Sequence, residues 1–428
     1  MDKRMKFNRN LLFCIAASCF ASTVFAADKK VEAPKEYLQW LDNLKQEMIE
    51  RGISKKTIKK VYKHNDYYHP DPEVVKIDRK QIEFVLTATE YLNRVVNEKR
   101  VEIARQKYRE LYPQFRELEE KYGVPFNYLA AFWGVETNFG QNFGKHQLMD
   151  VLTTLSYDTR RPKFFKEELY QALKIVDEQG IAPEEMESSW AGAMGHFQFM
   201  PSTFNAYAVD YNQDGQVNIW SSFDDAAASA ANYLSSAGWT RNQPWGAEVS
   251  LPWNFDYAAT GRDIQKSIRD WKQIGVKTAE GLDLPFDETM KASIIVPEGR
   301  KGSAFLIFDN FRVIMKWNRS ENYALAVGML ADYIISDKKY QKRELNPAVV
   351  LKTDDVLKVQ SFINKQGWAK LDEDGQLGQR TRAAVKQLQK KARLPQDGYP
   401  DYRLLLKISR YHPSEGFSVP VPPRKLHK

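Results

Sequence analysis

Apolar residues recur at intervals of three and four from about Ala33 to Tyr122, with charges between them, as in YLQWLDNLKQEMIERG and FVLTATEYLNRVVNEKRVEIARQKYRELYPQFRELEEKYG. That period predicts amphipathic helices sharing one core. Pro125 then stands where a helix begins, and FNYLAAFWGVET follows it. The same period predicts helices over 164–178, 224–236 and 321–335. From about 241 to 316 the pattern changes. AEVSLP, ASIIVP and SAFLIFDNFRVIMKW read as strands, the last as a hairpin turning near Asp309 and Asn310. After a charged linker, 337–350, short helical patterns and Gly/Asp turns occupy 351–410, and 411–428 reads as a flexible tail. The expected fold class is mainly α (α+β): a helical body with a small β-rich insertion, followed by a compact helical unit.

The first 26 residues break this pattern. A basic start (Lys3, Arg4, Lys6, Arg9) precedes an apolar stretch from Leu11 to Phe25, and Val24-Phe25-Ala26 forms a small-residue cleavage site. This is the form of a secretory signal peptide, so export to the periplasm is expected. Lipidation at Cys19 is the less favoured alternative, because Ala16 stands where a lipoprotein signal usually has Leu and the apolar run continues past the cysteine. The two cysteines, Cys14 and Cys19, both lie in this segment, which leaves the mature chain without disulfides and dependent on its core. Removing the segment lowers the net charge from +8 to +5, a balance suited to an anionic polymer or surface. No basic run carries interleaved aromatics, which argues against nucleic acid. Aromatic residues at 13% suit stacking on sugar rings and core packing equally.

Candidate chemistry centres on the segment GVETNFG, 134–140. Round a helix, Leu129, Phe132, Trp133 and Glu136 fall on one side, which places the carboxyl at an apolar position. Burial there disfavours the carboxylate and raises its pKa, as a general acid near neutral pH needs. A Glu at the edge of a cleft that simply reaches water fits the same position. Downstream, Gly192 and Gly195 allow close backbone approach, and Gln198 is a neutral amide between Phe197 and Phe199.

GVETNFG, LMDVLTTLSYDTRRPKFF, WAGAMGHFQFMPSTF, DYNQDGQVNIW and KWNRSENYALAV, in this order, resemble the lytic murein transglycosylase B family over roughly residues 35–335. The resemblance implies a lysozyme-like helical catalytic domain over 27–336, with the β-rich part at about 241–316. It also implies cleavage of the β-1,4 bond between N-acetylmuramic acid and N-acetylglucosamine in peptidoglycan, with Glu136 as the only catalytic carboxylate. Retaining glycosidases with two carboxylates use one as nucleophile, whereas a substrate-assisted enzyme uses the sugar's own N-acetyl oxygen. A lone Glu136 therefore implies a 1,6-anhydromuramoyl product. By motif position, Ser189, Gln198, Asn318 and Tyr323 are implied to contact substrate, and Tyr91 to line the cleft. A water-using muramidase and a non-catalytic wall-binding scaffold remain the alternatives.

DYNQDGQVNIWS, 210–221, follows the calcium-loop pattern at Asp210, Asn212, Asp214, Gln216 and Asn218, with Gly215 at the sharp turn. Its last position, normally acidic, is Ser221, so a weak structural calcium site is expected, with Asp224 as a substitute through water. An Asn/Asp/Gly turn held by its own hydrogen bonds fits the same residues. No cofactor is expected for the chemistry, and the histidines lack paired metal spacing. DGQLGQRTRAAVKQLQ followed by LPQDGYPD resembles the type 1 peptidoglycan-binding domain, a three-helix fold over 351–410, with Val385 and Leu388 facing its core. The expected partners are peptidoglycan glycan strands and other cell-wall enzymes, not nucleic acid, and the expected state is a monomer.

Overall fold

Three groups of buried apolar side chains organise the protein, whose computed structural model describes residues 33–63, 71–79, 86–347, 351–414 and 416–417. The signal segment with Cys19, residues 348–350 of the linker and the tail beyond Phe417 lie outside the described residues.

The largest group is the helical body. The helix Lys35–Glu50 buries Tyr37, Leu41, Leu44 and Met48, at the three-and-four spacing of one helical face. These side chains enter the same core as those of the helices Glu98–Tyr122, Leu148–Tyr157, Pro162–Gln179, Phe223–Ser236 and Glu321–Ile335. The helix Glu98–Tyr122 begins where the Asn97 side chain accepts from the Arg100 amide (3.0 Å), and ends at Gly123 in the left-handed region. At the centre lies the helix Phe126–Thr137, which buries residues on all of its faces. Phe126 stacks on Phe115 at 5.2 Å on one side, and Asn127 donates to the Ala331 carbonyl (3.1 Å) on another. A helix this apolar must lie inside a core. The expected single apolar face is therefore too narrow a description of it.

The second group forms a small sheet unit. Five antiparallel strands lie in the order Lys266–Ser267, Lys291–Ile295, Ala304–Ile307, Gly246–Ser250, Lys277–Thr278. One face covers Ile268, Trp271, Val276, Ile294 and Leu306. The expected hairpin at Asp309–Asn310 is not formed: only Ala304–Ile307 is a strand, and Asp309–Trp317 is a helix. The cause is remote in sequence. Asn310 is fully buried, donates to the carbonyls of Thr240 (2.9 Å) and Gln243 (2.6 Å), and accepts from the Thr240 amide (2.8 Å). A buried amide satisfied in this way fixes the first turn of a helix against the 240–243 turn.

The third group is the C-terminal unit of helices Thr353–Lys365, Gln379–Lys391 and Tyr402–Ser409, packed through Val359, Ile363, Val385, Leu388 and Leu404. Two buried glutamines shape its two Asp-Gly turns in the same way. Gln360 accepts from the Gly375 amide and donates to Asp374, both at 2.8 Å, while Gln389 accepts from the Gly398 amide (2.9 Å) and donates to Asp397 (2.6 Å). Tyr411 and Phe417, from the stretch read as a flexible tail, pack over Phe362 and Trp368.

This unit sits directly on the sheet unit. Arg382 donates to the Pro297 carbonyl (2.6 Å), the Arg300 amide donates to Asp397 (3.0 Å), and Lys386 donates to the carbonyl and hydroxyl of Thr260. The segment leading to it is held along its course. Arg105 donates to the Lys338 carbonyl (2.7 Å), Asn93 exchanges two hydrogen bonds with the Arg343 backbone (both 2.9 Å), and Asn346 donates to the Lys301 carbonyl (3.0 Å). No helix among the described residues is long and apolar enough to cross a membrane.

Candidate active site

Glu136 is half-buried on the last turn of the central helix, which ends at Asn138 in the left-handed region (φ 49°). The neighbouring residues of GVETNFG anchor that turn. A Cβ at position 134 would lie 2.6 Å from the Phe139 ring, so Gly134 lets the chain fold back over the helix. Thr137 donates to the His196 carbonyl (2.9 Å) and accepts from the Gly140 amide (3.0 Å). Trp133 donates to His196 Nδ1 (2.9 Å), and burial lowers the pKa of that imidazole to about 4, so it stays neutral as an acceptor.

His196 belongs to the second wall, a tight hairpin in which Met194 and Phe199 exchange backbone hydrogen bonds of 2.8 and 2.9 Å. Gly195 is required at its turn, since φ is 65° and a Cβ would lie 2.5 Å from the Ile219 carbonyl. Gln198 also has positive φ (52°), and its Nε2 donates to the carbonyls of Phe143 and Gly195, both at 3.2 Å. Ser189 accepts from the amides of Ala191 (3.3 Å) and Ala193 (3.1 Å). Both side chains thus hold the loops on which they sit.

The third wall brings Trp317 and Tyr323 to the glutamate. The Trp317 indole N–H donates to Glu136 Oε1 (3.0 Å), and the Tyr323 hydroxyl donates to the same oxygen. Trp317 is wedged between Phe132 (4.7 Å between rings), Tyr233 (5.0 Å) and Phe199 (5.3 Å). Asn318 ends its helix and accepts from the Ser320 amide (3.1 Å), and Ser320 caps the helix carrying Tyr323 by accepting from its amide (3.3 Å). Burial pushes the Tyr323 hydroxyl well above its ordinary range, and the charge of Glu136 and the phenols of Tyr91 and Tyr233 push it further. Tyr323 therefore remains a donor at every physiological pH. Among the described residues, Glu136 is the carboxylate that acts on it. Of the expected residues, Glu136, Tyr323 and Tyr91 come together, with Gln198, Asn318 and Ser189 on the adjoining loops. Trp317 was not anticipated, although it lies in the KWNRSENY segment.

The calcium-type loop backs the second wall, its Ile219 carbonyl accepting from the His196 amide (3.1 Å). Asp210 accepts from the amides of Asp214 (3.2 Å) and Gly215 (2.9 Å), Asn212 donates to Asp214 (2.9 Å), and Asp214 accepts from the Gln216 amide (2.9 Å). Asn218 accepts from the amides of Trp220 and Ser221, both at 3.0 Å. The residue that closes the loop is Asp225, fully buried, which accepts from the amides of Tyr211 (2.9 Å) and Asn218 (3.0 Å). Asp224, the expected substitute, instead accepts from Gln114 (3.1 Å). Among the described residues no three His, Cys, Asp or Glu side chains converge as metal ligands.

This arrangement has close counterparts. Residues 36–332 match the transglycosylase SLT domain and residues 352–408 a peptidoglycan binding domain. SltB3 of Pseudomonas aeruginosa, solved in complex with NAG-anhNAM-pentapeptide, is 36% identical with a TM-score of 0.81, covering 88% of this chain and 100% of that one. Slt35 of Escherichia coli, solved in complex with calcium, is 26% identical with a TM-score of 0.55, covering 68% of this chain and 92% of that one. The membrane-bound lytic murein transglycosylase B of Escherichia coli K12 is 34% identical over 217 residues, 50% of this chain and 58% of its own length. The match thus spans little more than half of that curated relative. The chain belongs to the lytic murein transglycosylase B family, with a lysozyme-like transglycosylase domain followed by a peptidoglycan-binding domain.

Proposed function

We propose that this protein is an exported, periplasmic lytic transglycosylase that cleaves the β-1,4 bond between N-acetylmuramic acid and N-acetylglucosamine and leaves 1,6-anhydromuramoyl ends. The observation that carries this reading is the carboxyl of Glu136, oriented through Oε1 by the donors of Trp317 and Tyr323. Glu136 gives its proton to the departing glycosidic oxygen as the C1–O4 bond breaks, and the sugar's N-acetyl oxygen takes up the bond to C1. As a carboxylate it then accepts the proton of the muramoyl 6-hydroxyl, whose oxygen closes on C1 and releases the N-acetyl oxygen. The acid is restored and no water is consumed. Tyr91, Ser189, Gln198 and Asn318 line the sugar's path.

The loop at Asp210, Asn212, Asp214, Gln216 and Asn218 offers oxygen donors throughout, which suits calcium, but Ser221 replaces a two-oxygen carboxylate. Its role would be weak and structural, outside the chemistry. Calcium at about 1 mM, the range of weak extracellular sites, should raise the melting temperature, and no shift would exclude the site.

The activity test is digestion of purified peptidoglycan with mass analysis of the products. Anhydromuramoyl ends are expected, and Glu136→Gln should reduce their release by about a hundredfold to ten-thousandfold, as the loss of a catalytic acid or base does. Reducing muramoyl ends would instead indicate hydrolysis, and no release a binding scaffold.

A further inference from the structure

A cavity of about 230 Å³ opens where the helical body, the sheet unit and the C-terminal unit meet. Its body side is formed by Arg319–Asn322, its far side by Lys352 and the 375–378 turn. Arg319 directly follows Asn318, and Ser320 caps the helix that carries Tyr323, so the cavity begins where the wall beside Glu136 ends.

Most charges around it are already matched. Arg262 pairs with Glu321 (2.9 Å) and donates to Gln379 (2.6 Å). Glu298 accepts from the amide and hydroxyl of Thr89, both at 2.8 Å, and Arg382 donates to the carbonyls of Leu377 (3.2 Å) and Pro297 (2.6 Å). Arg319 and Lys352 remain, both exposed and with no side-chain hydrogen bond or ion pair among the described residues. Two unmatched cations, one on each side of a cleft, select an anion. The glycan of peptidoglycan is neutral along its sugar rings, whereas its peptide stems end in carboxylates. The volume also lies below the roughly 300–1,000 Å³ of a site that swallows a whole ligand. It therefore suits a side branch and not the strand itself.

We propose that this cavity binds the carboxylate-bearing end of a peptide stem on a strand held at Glu136, with Arg319 supplied by the catalytic domain and Lys352 by the C-terminal unit. The proposal rests on the peptidoglycan reading above. The test is equilibrium binding to full-length mature Glu136→Gln protein, which leaves ligands uncut. Three ligands are compared: a muramoyl disaccharide with its peptide stem, the same disaccharide with its lactyl carboxyl capped as a simple amide in place of the stem, and the stem form with amidated carboxylates. The acidic stem should improve affinity about tenfold over both others, as one or two charge-assisted hydrogen bonds would. That preference should shrink with added salt. Adding Arg319→Ala and Lys352→Ala should abolish it while leaving the stemless affinity unchanged. Equal affinity for the three ligands, or an equal loss for all three in the variant, overturns the proposal. Binding preference without product release by the wild-type protein would instead overturn the catalytic reading and leave this one standing.

Discussion

Trp317 reaches Glu136 from 181 positions away in the chain, at the end of the Asp309–Trp317 helix. The motifs mark Glu136 and Tyr323 because their residue types suit acid chemistry. A tryptophan amid apolar residues is ordinary core, and only the approach of the Asp309–Trp317 helix turns its N–H toward the carboxyl. An indole N–H can only donate, so Oε1 must serve as its acceptor. Trp317→Phe keeps the packing and removes that donor. The expected result is a fall in kcat of about tenfold or more with KM little changed, since an oriented donor to a reacting group acts mainly in the transition state. A rise in KM alone would mean that Trp317 serves substrate packing only. The pair Ser189 and Gln198 shows the opposite limit. Their loops were found by motif, but the bonds that occupy their side chains depend on Ala191, Ala193 and Phe143 and appear only in three dimensions.

Most helices were readable because burial at three-and-four spacing leaves a plain pattern; the segments read as 224–236 and 321–335 form as Phe223–Ser236 and Glu321–Ile335. The sequence from Ser303 to Trp317 was not, because the apolar run Ala304–Phe308 leads into Phe311, Val313 and Met315, whose alternation suits a strand as readily as one face of a helix. Asn310, bonded to residues near 240, decides between them. The Glu321–Ile335 helix carries another polar contact with a measurable consequence. Asp332 is an exposed residue whose carboxyl accepts from the Trp245 indole at 2.9 Å. Desolvation of that carboxyl raises its pKa, against the pull of the indole. Because the folded pKa then exceeds the ordinary value of about 3.9, the native state holds a proton that the unfolded chain releases. Its contribution is therefore complete below about pH 4 and is lost as pH rises through the raised value. Asp332→Asn should remove this decline. In paired thermal melts the variant should gain modestly on the wild type as pH rises above about 4, since water screens an exposed group. Parallel curves would show that Asp332 ionises normally.

At the scale of the whole molecule, the C-terminal unit is docked through part-buried polar contacts and is not free. Lys386 is central to the docking: burial lowers its pKa, and its ammonium donates across the interface to Thr260 and to the Tyr257 carbonyl (3.3 Å). Lys386→Ala should weaken docking by about 2–4 kcal/mol, the loss of two or so charge-assisted hydrogen bonds. The unit keeps its own core of Val359, Val385 and Leu404, so calorimetry should show it melting separately and earlier. A single unchanged transition would count against docking through Lys386.

The pinned segment before that unit alters what a wall-binding domain does for this enzyme. A flexible tether offers its second site at an effective concentration set by linker length. Here Lys338 and Arg343 are hydrogen-bonded to the helical body and Asn346 to the sheet unit, so added slack in the linker would not be felt while those bonds hold. On the function proposed above, a strand gripped by the C-terminal unit would reach Glu136 at one stand-off distance, and the place of the cut relative to the grip would be a fixed dimension of the protein.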